Sequence, residues 1–241
     1  MNICVITDNL YIFEHFQELI ARRKPDAVFD FYYAPWNADF KARFGEIGAI
    51  RPLRLKDQDA RFFEQYDLFI SLHCKQLFPD ELVNNHLCIN VHPGYNPYNR
   101  GWFPQVFGIM NHLPIGVTIH KMDTELDHGP ILWQKRLELR ADDTSKDVYE
   151  RILATEMELM EEHLADLLTG SYTFTPMEGE GNLNTKQDFE ALREISLDKP
   201  ATYGEVIDFL RAMTHAPYKN AYFADKDGKK VYVSINLEKE P

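Results

Sequence analysis

Leu87-Cys-Ile-Asn-Val-His-Pro-Gly94 reads as a buried strand that ends in reactive side chains. Alternate side chains of an extended chain share a face, so Asn90 and His92 point together while Leu87, Ile89 and Val91 face the other way. Pro93 restricts His92 to extended backbone and Gly94 permits a sharp turn, which presents the imidazole at the strand's end. In open α/β sheets, ligands collect outside the carboxyl ends of the strands. A single histidine before proline is more often a strand cap bonded to a turn. Only the company kept by the pair gives it chemical meaning.

Upstream, Asn2 to Thr7 is a short apolar run, and Leu10, Phe13, Phe16, Leu19 and Ile20 follow the turn Asp8-Asn9 at helical spacing. That turn contains neither G-x-G-x-x-G nor G-K-S/T, so no dinucleotide fingerprint and no P-loop is present. Ala27 to Tyr33 and Asp67 to His73 read as further strands. Between them lies an aromatic loop at Trp36 and a stretch, Asn37 to Ile50, whose weak helical signal leaves it open. Pro79 opens a short helix, PDELVNN, before the strand quoted first. Strands alternating with helices predict an α/β fold with a Rossmann-like, mostly parallel sheet.

Downstream, Tyr95 to Gly101 (YNPYNRG) is too polar and too broken by Pro and Gly for regular structure, and Trp102 to Met110 reads as a helix. Gly116 to His120 and Ile131 to Leu139 alternate as strands around Thr124-Glu-Leu-Asp-His-Gly129, an antiparallel hairpin with a wide acidic loop. A long helix follows from Asp142 to about Leu168. Between Thr175 and Asn184 the composition turns to Gly, Asn and Glu, which sets domain boundaries at 1–177 and 178–241. The second part is a small α+β tail: helices at Gln187–Leu192 and Thr202–Met213, then a β-hairpin turning at Asp227-Gly228.

The 241 residues are 44% hydrophobic and 27% charged, the balance of an ordinary globular protein. With 26 Lys and Arg against 38 Asp and Glu the net charge is −12, which opposes binding to a nucleic-acid backbone. Cys4, Cys74 and Cys88 are odd in number and widely spaced, so free thiols in a reducing compartment are expected. No run approaches the ~20 apolar residues of a membrane span, and the N-terminus MNICVITDN lacks a signal peptide's basic start. The expectation is a cytoplasmic protein without a membrane partner.

Asn90, His92 and one carboxylate from the hairpin loop, Asp123, Glu125 or Asp127, form a possible set. An amide, an imidazole and a carboxylate without a Ser or Cys nucleophile argue against an acyl-enzyme. They suit direct acyl transfer to a nucleophile carried by the substrate, with amide and imidazolium stabilising the oxyanion of a tetrahedral species. His73, His86, His92, His112, His120 and His128 match no zinc spacing, so no metal is expected.

Asn90-Val-His-Pro-Gly94, Arg100-Gly101 and Gly116-Val-Thr-Ile-His-Lys-Met-Asp-Thr-Glu-Leu-Asp-His-Gly-Pro-Ile-Leu132 together resemble the formyltransferases that use 10-formyltetrahydrofolate. Ser71-Leu-His-Cys-Lys-Gln-Leu-Phe-Pro79 and Arg211-Ala-Met-Thr-His-Ala-Pro-Tyr-Lys-Asn-Ala-Tyr222 are similar to the branch acting on dTDP-linked amino sugars. The resemblance covers most of the chain, and its N-x-H plus D-x-G combination is specific where neither half alone is. It implies the formyltransferase fold and a catalytic trio of Asn90, His92 and Asp127. His92 with Asn90 would stabilise the oxyanion, Asp127 would set the protonation of His92, and the sugar amine would attack the formyl carbon. It also implies a pterin near Lys75, Gln76 and Phe78 and near Met122 and Asp123. Phe78 alone would be read as core, and Asp127 alone as a turn former.

For the acceptor, the tail offers Tyr218, Lys219, Asn220 and Tyr222 to a base and Arg211 to a phosphate. Asn9 and Arg100 are candidates for sugar and diphosphate. The net charge and the small tail speak against tRNA. The resemblance favours dTDP-4-amino-4,6-dideoxyglucose over the 3-amino sugar, giving an N-formyl sugar for lipopolysaccharide O-antigen or other surface glycans, with a homodimer expected. The competing readings are a glycinamide ribonucleotide formyltransferase and a nucleotide-sugar binding protein without turnover.

Overall fold

The computed structural model describes residues 1–45 and 48–240. In chain order the elements are β1 (Asn2–Thr7), α1 (Leu10–Arg23), β2 (Val28–Tyr33), α2 (Ala38–Phe44), β3 (Arg51–Pro52), α3 (Ala60–Phe63), β4 (Leu68–Leu72), α4 (Asp80–Asn85) and β5 (Cys88–His92). Then come β6 (Arg100–Gly101), α5 (Pro104–Asn111), β7 (Ile115–Lys121), β8 (Ile131–Leu137) and α6 (Ser145–Thr169). The remainder holds β9 (Leu183–Asn184), α7 (Lys186–Leu192), α8 (Tyr203–Met213), β10 (Thr214–His215), β11 (Tyr218–Lys219), β12 (Ala221–Ala224) and β13 (Lys230–Val233). Among the described residues no helix is long and apolar enough to cross a membrane.

Two compact units result. The first comprises Met1–Pro93, Val117–Lys135 and Leu153–Glu178; the second comprises Gly94–Gly116, Arg136–Ile152 and Gly179–Pro241. The first unit therefore ends where the composition changes, but two stretches upstream of that change belong to the second. The first unit is built on a seven-stranded sheet in the order β3-β2-β1-β4-β5-β7-β8. Strands β2, β1, β4 and β5 run parallel, and β7 is antiparallel to β5. All five residues of β4 are buried, as a strand covered on both faces must be. One core cluster joins Phe69 of this strand to Ile6, Leu55, Phe63, Leu82 and Cys88, with Phe78 among them. Each such side chain contributes about 1.5–3 kcal/mol when fully withdrawn from water.

The carboxyl ends of three parallel strands are fastened by one side chain. Asp8, buried after β1, accepts from Ala34 N at 2.9 Å, Asn37 Nδ2 at 3.0 Å and Lys75 N at 2.7 Å. Asn37 also caps α2, the helix within the stretch 37–50. Seven residues are too few for a periodicity to declare itself, which is why that stretch reads as open. Glu46 and Ile47 within it, and Pro241 at the end of the tail, lie outside the described residues.

Helix α5 starts two residues later than its apolar spacing suggests. Phe103 takes a left-handed backbone with φ of 53°, and Pro104 then occupies the first turn.

In the second unit the loop expected at 95–101 is fastened as well. Asn99 Oδ1 accepts from Asn111 Nδ2 at 2.7 Å and Asn182 Nδ2 at 2.9 Å, and β6 pairs in parallel with β9. Gly181 has φ of +58°, and a Cβ there would lie 1.9 Å from Pro97 O, so only glycine allows this approach. The Gly- and Asn-rich run is thus in part a strap across the loop.

Candidate active site

The trio meets within the first unit. Strand β5 carries Asn90 and His92 on one face, and β7 sets His120 opposite Asn90 and Thr118 opposite His92. The β7–β8 loop then has to return a carboxylate to that face. It is held at its root by Lys121 N to Pro130 O at 2.9 Å and by Met122 N to Cys88 O at 2.8 Å. Asp123 braces the loop from within, accepting from Glu125 N at 2.9 Å while its Oδ2 lies 3.0 Å from His128 Nδ1. Glu125 is exposed. Asp127 alone turns inward, through a left-handed backbone with φ of 50°, and is 8% exposed.

Its two oxygens divide the work. Oδ1 accepts from Asn90 Nδ2 at 2.8 Å, and Oδ2 lies 3.4 Å from His92 Nδ1. His92 is 2% exposed, so the pair acts with little screening by water. A carboxylate on Nδ1 fixes the ring's orientation and directs Nε2 to the other side. His120 completes the cluster, with Nε2 3.3 Å from Asn90 Nδ2 and 3.7 Å from Asp127 Oδ1. Sequence reasoning counted His120 only among unconvincing zinc ligands. The signal that marks it is its place at the end of an alternating strand just before the acidic loop. Among the described residues no group of three or more His, Cys, Asp or Glu is placed to hold a metal ion.

No cysteine supplies a nucleophile. All three are free, and burial pushes the Cys88 thiol up to about 12 and raises Cys4 and Cys74 as well. A thiol held so far above neutral pH stays protonated and inert.

One strand away, His73 stands at the end of β4 with φ of 56° and lies 2.7 and 2.8 Å from the two oxygens of Glu156, which is fully buried on α6. Burial raises the Glu156 carboxyl above its ordinary value, against the pull of His73. A carboxyl raised on folding contributes stability that is complete below its unfolded value and lost as pH rises through the folded one. The stability of Glu156→Gln relative to the native protein is therefore expected to improve between pH 5 and pH 8. Urea midpoints at the two ends of that range measure it.

The residues expected to hold a pterin occupy distinct settings. Lys75 is exposed after β4, and Met122 packs partly against the core. Gln76 is committed to the scaffold, accepting from Leu55 N at 3.0 Å and donating to Leu53 O at 2.9 Å, and Phe78 is core at 8% exposure.

Among the acceptor candidates, Asn9 caps α1 by accepting from Ile12 N at 3.2 Å. In the second unit Arg100 donates to Glu180 O at 3.2 Å. Asn220 donates to Met213 O, and Arg193, not anticipated from sequence, donates to Asn220 O at 3.2 Å and Lys219 O at 3.1 Å. Lys219 lies 5.6 Å over Tyr232, and Tyr222 carries Lys230 at 4.0 Å over its ring.

Arg211 is 5% exposed and donates to Asp208, to Arg140 O at 3.0 Å and to Asp143 O at 3.1 Å, so its donors tie α8 to the start of α6 instead of facing solvent. The basic and aromatic make-up of the tail that suggested a phosphate ligand could not reveal partners some seventy residues away. Arg211→Met is expected to lower stability by about 3 kcal/mol, the scale of a broken buried pair. The KM for a nucleotide-sugar should stay within about twofold, since no uniform binding is removed.

A mostly parallel sheet ending in an Asn, His and Asp cluster is an arrangement suited to acyl transfer without an enzyme nucleophile. Residues 55–164 match a family model described as formyl transferase, and 188–239 match an N-formyltransferase dimerization C-terminal domain. A dTDP-4-amino-4,6-dideoxyglucose formyltransferase of Mycobacterium tuberculosis is 42% identical over 240 residues, 100% of this chain and 98% of that protein. The crystal structure of a 4-N formyltransferase from Francisella tularensis superposes with a TM-score of 0.95 at 46% identity, covering 99% of this chain and 98% of that one. A sugar 3N-formyl transferase solved with dTDP and 5-N-formyl-THF shares the fold, with a TM-score of 0.73 at 19% identity over 94% of this chain and 83% of that one. The chain belongs to the formyl transferase family, and it is an enzyme.

Proposed function

We propose that this enzyme transfers a formyl group from 10-formyltetrahydrofolate to the amine of dTDP-4-amino-4,6-dideoxyglucose. What carries the reading is the end-to-end relationship at 42% identity to an enzyme named for that substrate, together with the buried trio. When bound, the folate supplies an activated formyl carbon whose oxygen gathers negative charge as the amine attacks. The residues fit such a donor: with Nδ1 of His92 facing Asp127, the Nε2 edge is the one turned to a carbonyl oxygen. A proton held there opposes the developing charge, and the Asp127 carboxylate stabilises the positive charge the ring then carries. Asn90 shares the strand face and orients the reacting groups.

The arrangement proposed around the trio is a catalytic domain at 1–177 and a nucleotide-sugar and dimerisation subdomain at 178–241. Lys75, Met122 and Asp123 would meet the folate, with Gln76 and Phe78 shaping that loop from below. The residues proposed to meet the nucleotide-sugar are Arg100, Lys219, Asn220 and Tyr222 in the second unit and, in the first, Asn9, while Arg211 holds α8 in place. The protein would act as a cytoplasmic homodimer, a state supported by the match at 188–239. An N-formylated sugar still joined to dTDP is an activated glycosyl donor, chemistry that suits a precursor of surface glycans such as O-antigen.

The decisive assay offers the folate donor with dTDP-4-amino-4,6-dideoxyglucose, its 3-amino counterpart or glycinamide ribonucleotide, and reads product by mass spectrometry. The 4-amino sugar is expected to gain one formyl group. Turnover of glycinamide ribonucleotide alone, or of none, would overturn the proposal.

A further inference from the structure

Asn90 and His120 stand directly opposite each other on β5 and β7. Nδ1 of His120 lies 2.9 Å from Lys121 O. A carbonyl oxygen only accepts, so Nδ1 carries the ring proton and the neutral ring offers a lone pair at Nε2. That lone pair is 3.3 Å from Asn90 Nδ2, whose other N–H is donated to Asp127 Oδ1 at 2.8 Å. The amide nitrogen thus sits between two acceptors. Flipping the amide would set its oxygen against a carboxylate and an imine nitrogen, in a site where His120 is 1% and Asp127 8% exposed.

We propose that His120 is a positioning residue: as the neutral Nδ1–H tautomer it takes one amide proton of Asn90 while Asp127 takes the other, so Asn90 turns its Oδ1 to the reacting groups. This rests on the amine acceptor proposed above and deepens it by giving Asn90 a different partner. An amide oxygen beside His92 accepts an N–H of the attacking amine, aims its lone pair at the formyl carbon and stabilises the positive charge that builds on nitrogen. The formyl oxygen is left to His92. The oxyanion role that the family resemblance implies for Asn90 needs a free amide proton, and both are committed.

The test is a double-mutant cycle with a spectroscopic control. His120→Leu removes the acceptor and should lower kcat by about 10- to 100-fold, the scale of a misplaced reacting group, with both KM values within about twofold. His120→Gln, whose side-chain oxygen can accept the same proton, should recover activity to within about fivefold of native. In an Asn90→Ala background, His120→Leu should change kcat by less than about twofold, because its effect passes through Asn90. Equal losses in both backgrounds, or native kcat in His120→Leu, would overturn the proposal. Nitrogen-15 spectra of the imidazoles in the unmodified enzyme must show His120 protonated at Nδ1 and bare at Nε2; the opposite tautomer refutes it without any variant. Should no amino sugar be formylated, the proposed acceptor fails while the spectrum still decides the state of His120.

Discussion

His92→Ala lowers kcat for formyl transfer by about 10²- to 10⁴-fold, the range that a positioned proton-handling side chain contributes. The substitution removes the group proposed to face the formyl oxygen and leaves the bond from Asn90 to Asp127 in place. Because Asn90 and Asp127 persist, binding of both substrates should be far less affected than turnover. Steady-state kinetics with the folate donor and the amino sugar read the two separately, and thermal unfolding with and without dTDP reports whether the site still assembles. A kcat within about threefold of native would mean that His92 is not the group that meets the developing charge.

Gly129→Ala is the second large effect, and it acts without touching the trio. A Cβ at this position would lie 1.8 Å from Lys121 O and 2.9 Å from Lys121 C, both backbone atoms that no side-chain rotation can clear. The loop must lift from the end of β7, where Lys121 N is bonded to Pro130 O. Overpacking of this kind costs about 1–3 kcal/mol. The chemical penalty should be larger, because Asp127 lies two residues away and its displacement releases both His92 and Asn90. A displacement of about 1 Å is enough for a loss on the order of 10²-fold in kcat. Kinetics and urea unfolding on the same preparation check it. Native activity in a stable Gly129→Ala protein would show that the loop's return path is not what sets the carboxylate.

The parts of the molecule legible from sequence are those whose partners lie within one element. Asn90 and His92 share a face because strands alternate, and the apolar spacing of α1 and α8 follows the helical period. Among the three loop carboxylates only the family resemblance singles out Asp127 in the sequence; a positive φ there and the bracing by Asp123 supply the physical reason. Gln76 and Arg211 resemble ligand-binding residues in sequence, but their acceptors at Leu53, Arg140 and Asp143 are reached only through the tertiary fold. His120 escaped for a related reason. Its role depends on the register between β5 and β7, and a register is a property of two strands that neither discloses alone.

The strap over the 95–101 loop bears on how this protein can be cut. Expressing the chain only to Glu178 would look natural from composition, yet it would strip the Asn182 donor from Asn99 Oδ1 and the cover from Pro97. The segment that follows His92 would then begin in a loop with its ligature removed. The tail is therefore no detachable accessory, and a minimal version of this enzyme must keep residues 179–185 even if everything beyond them were replaced.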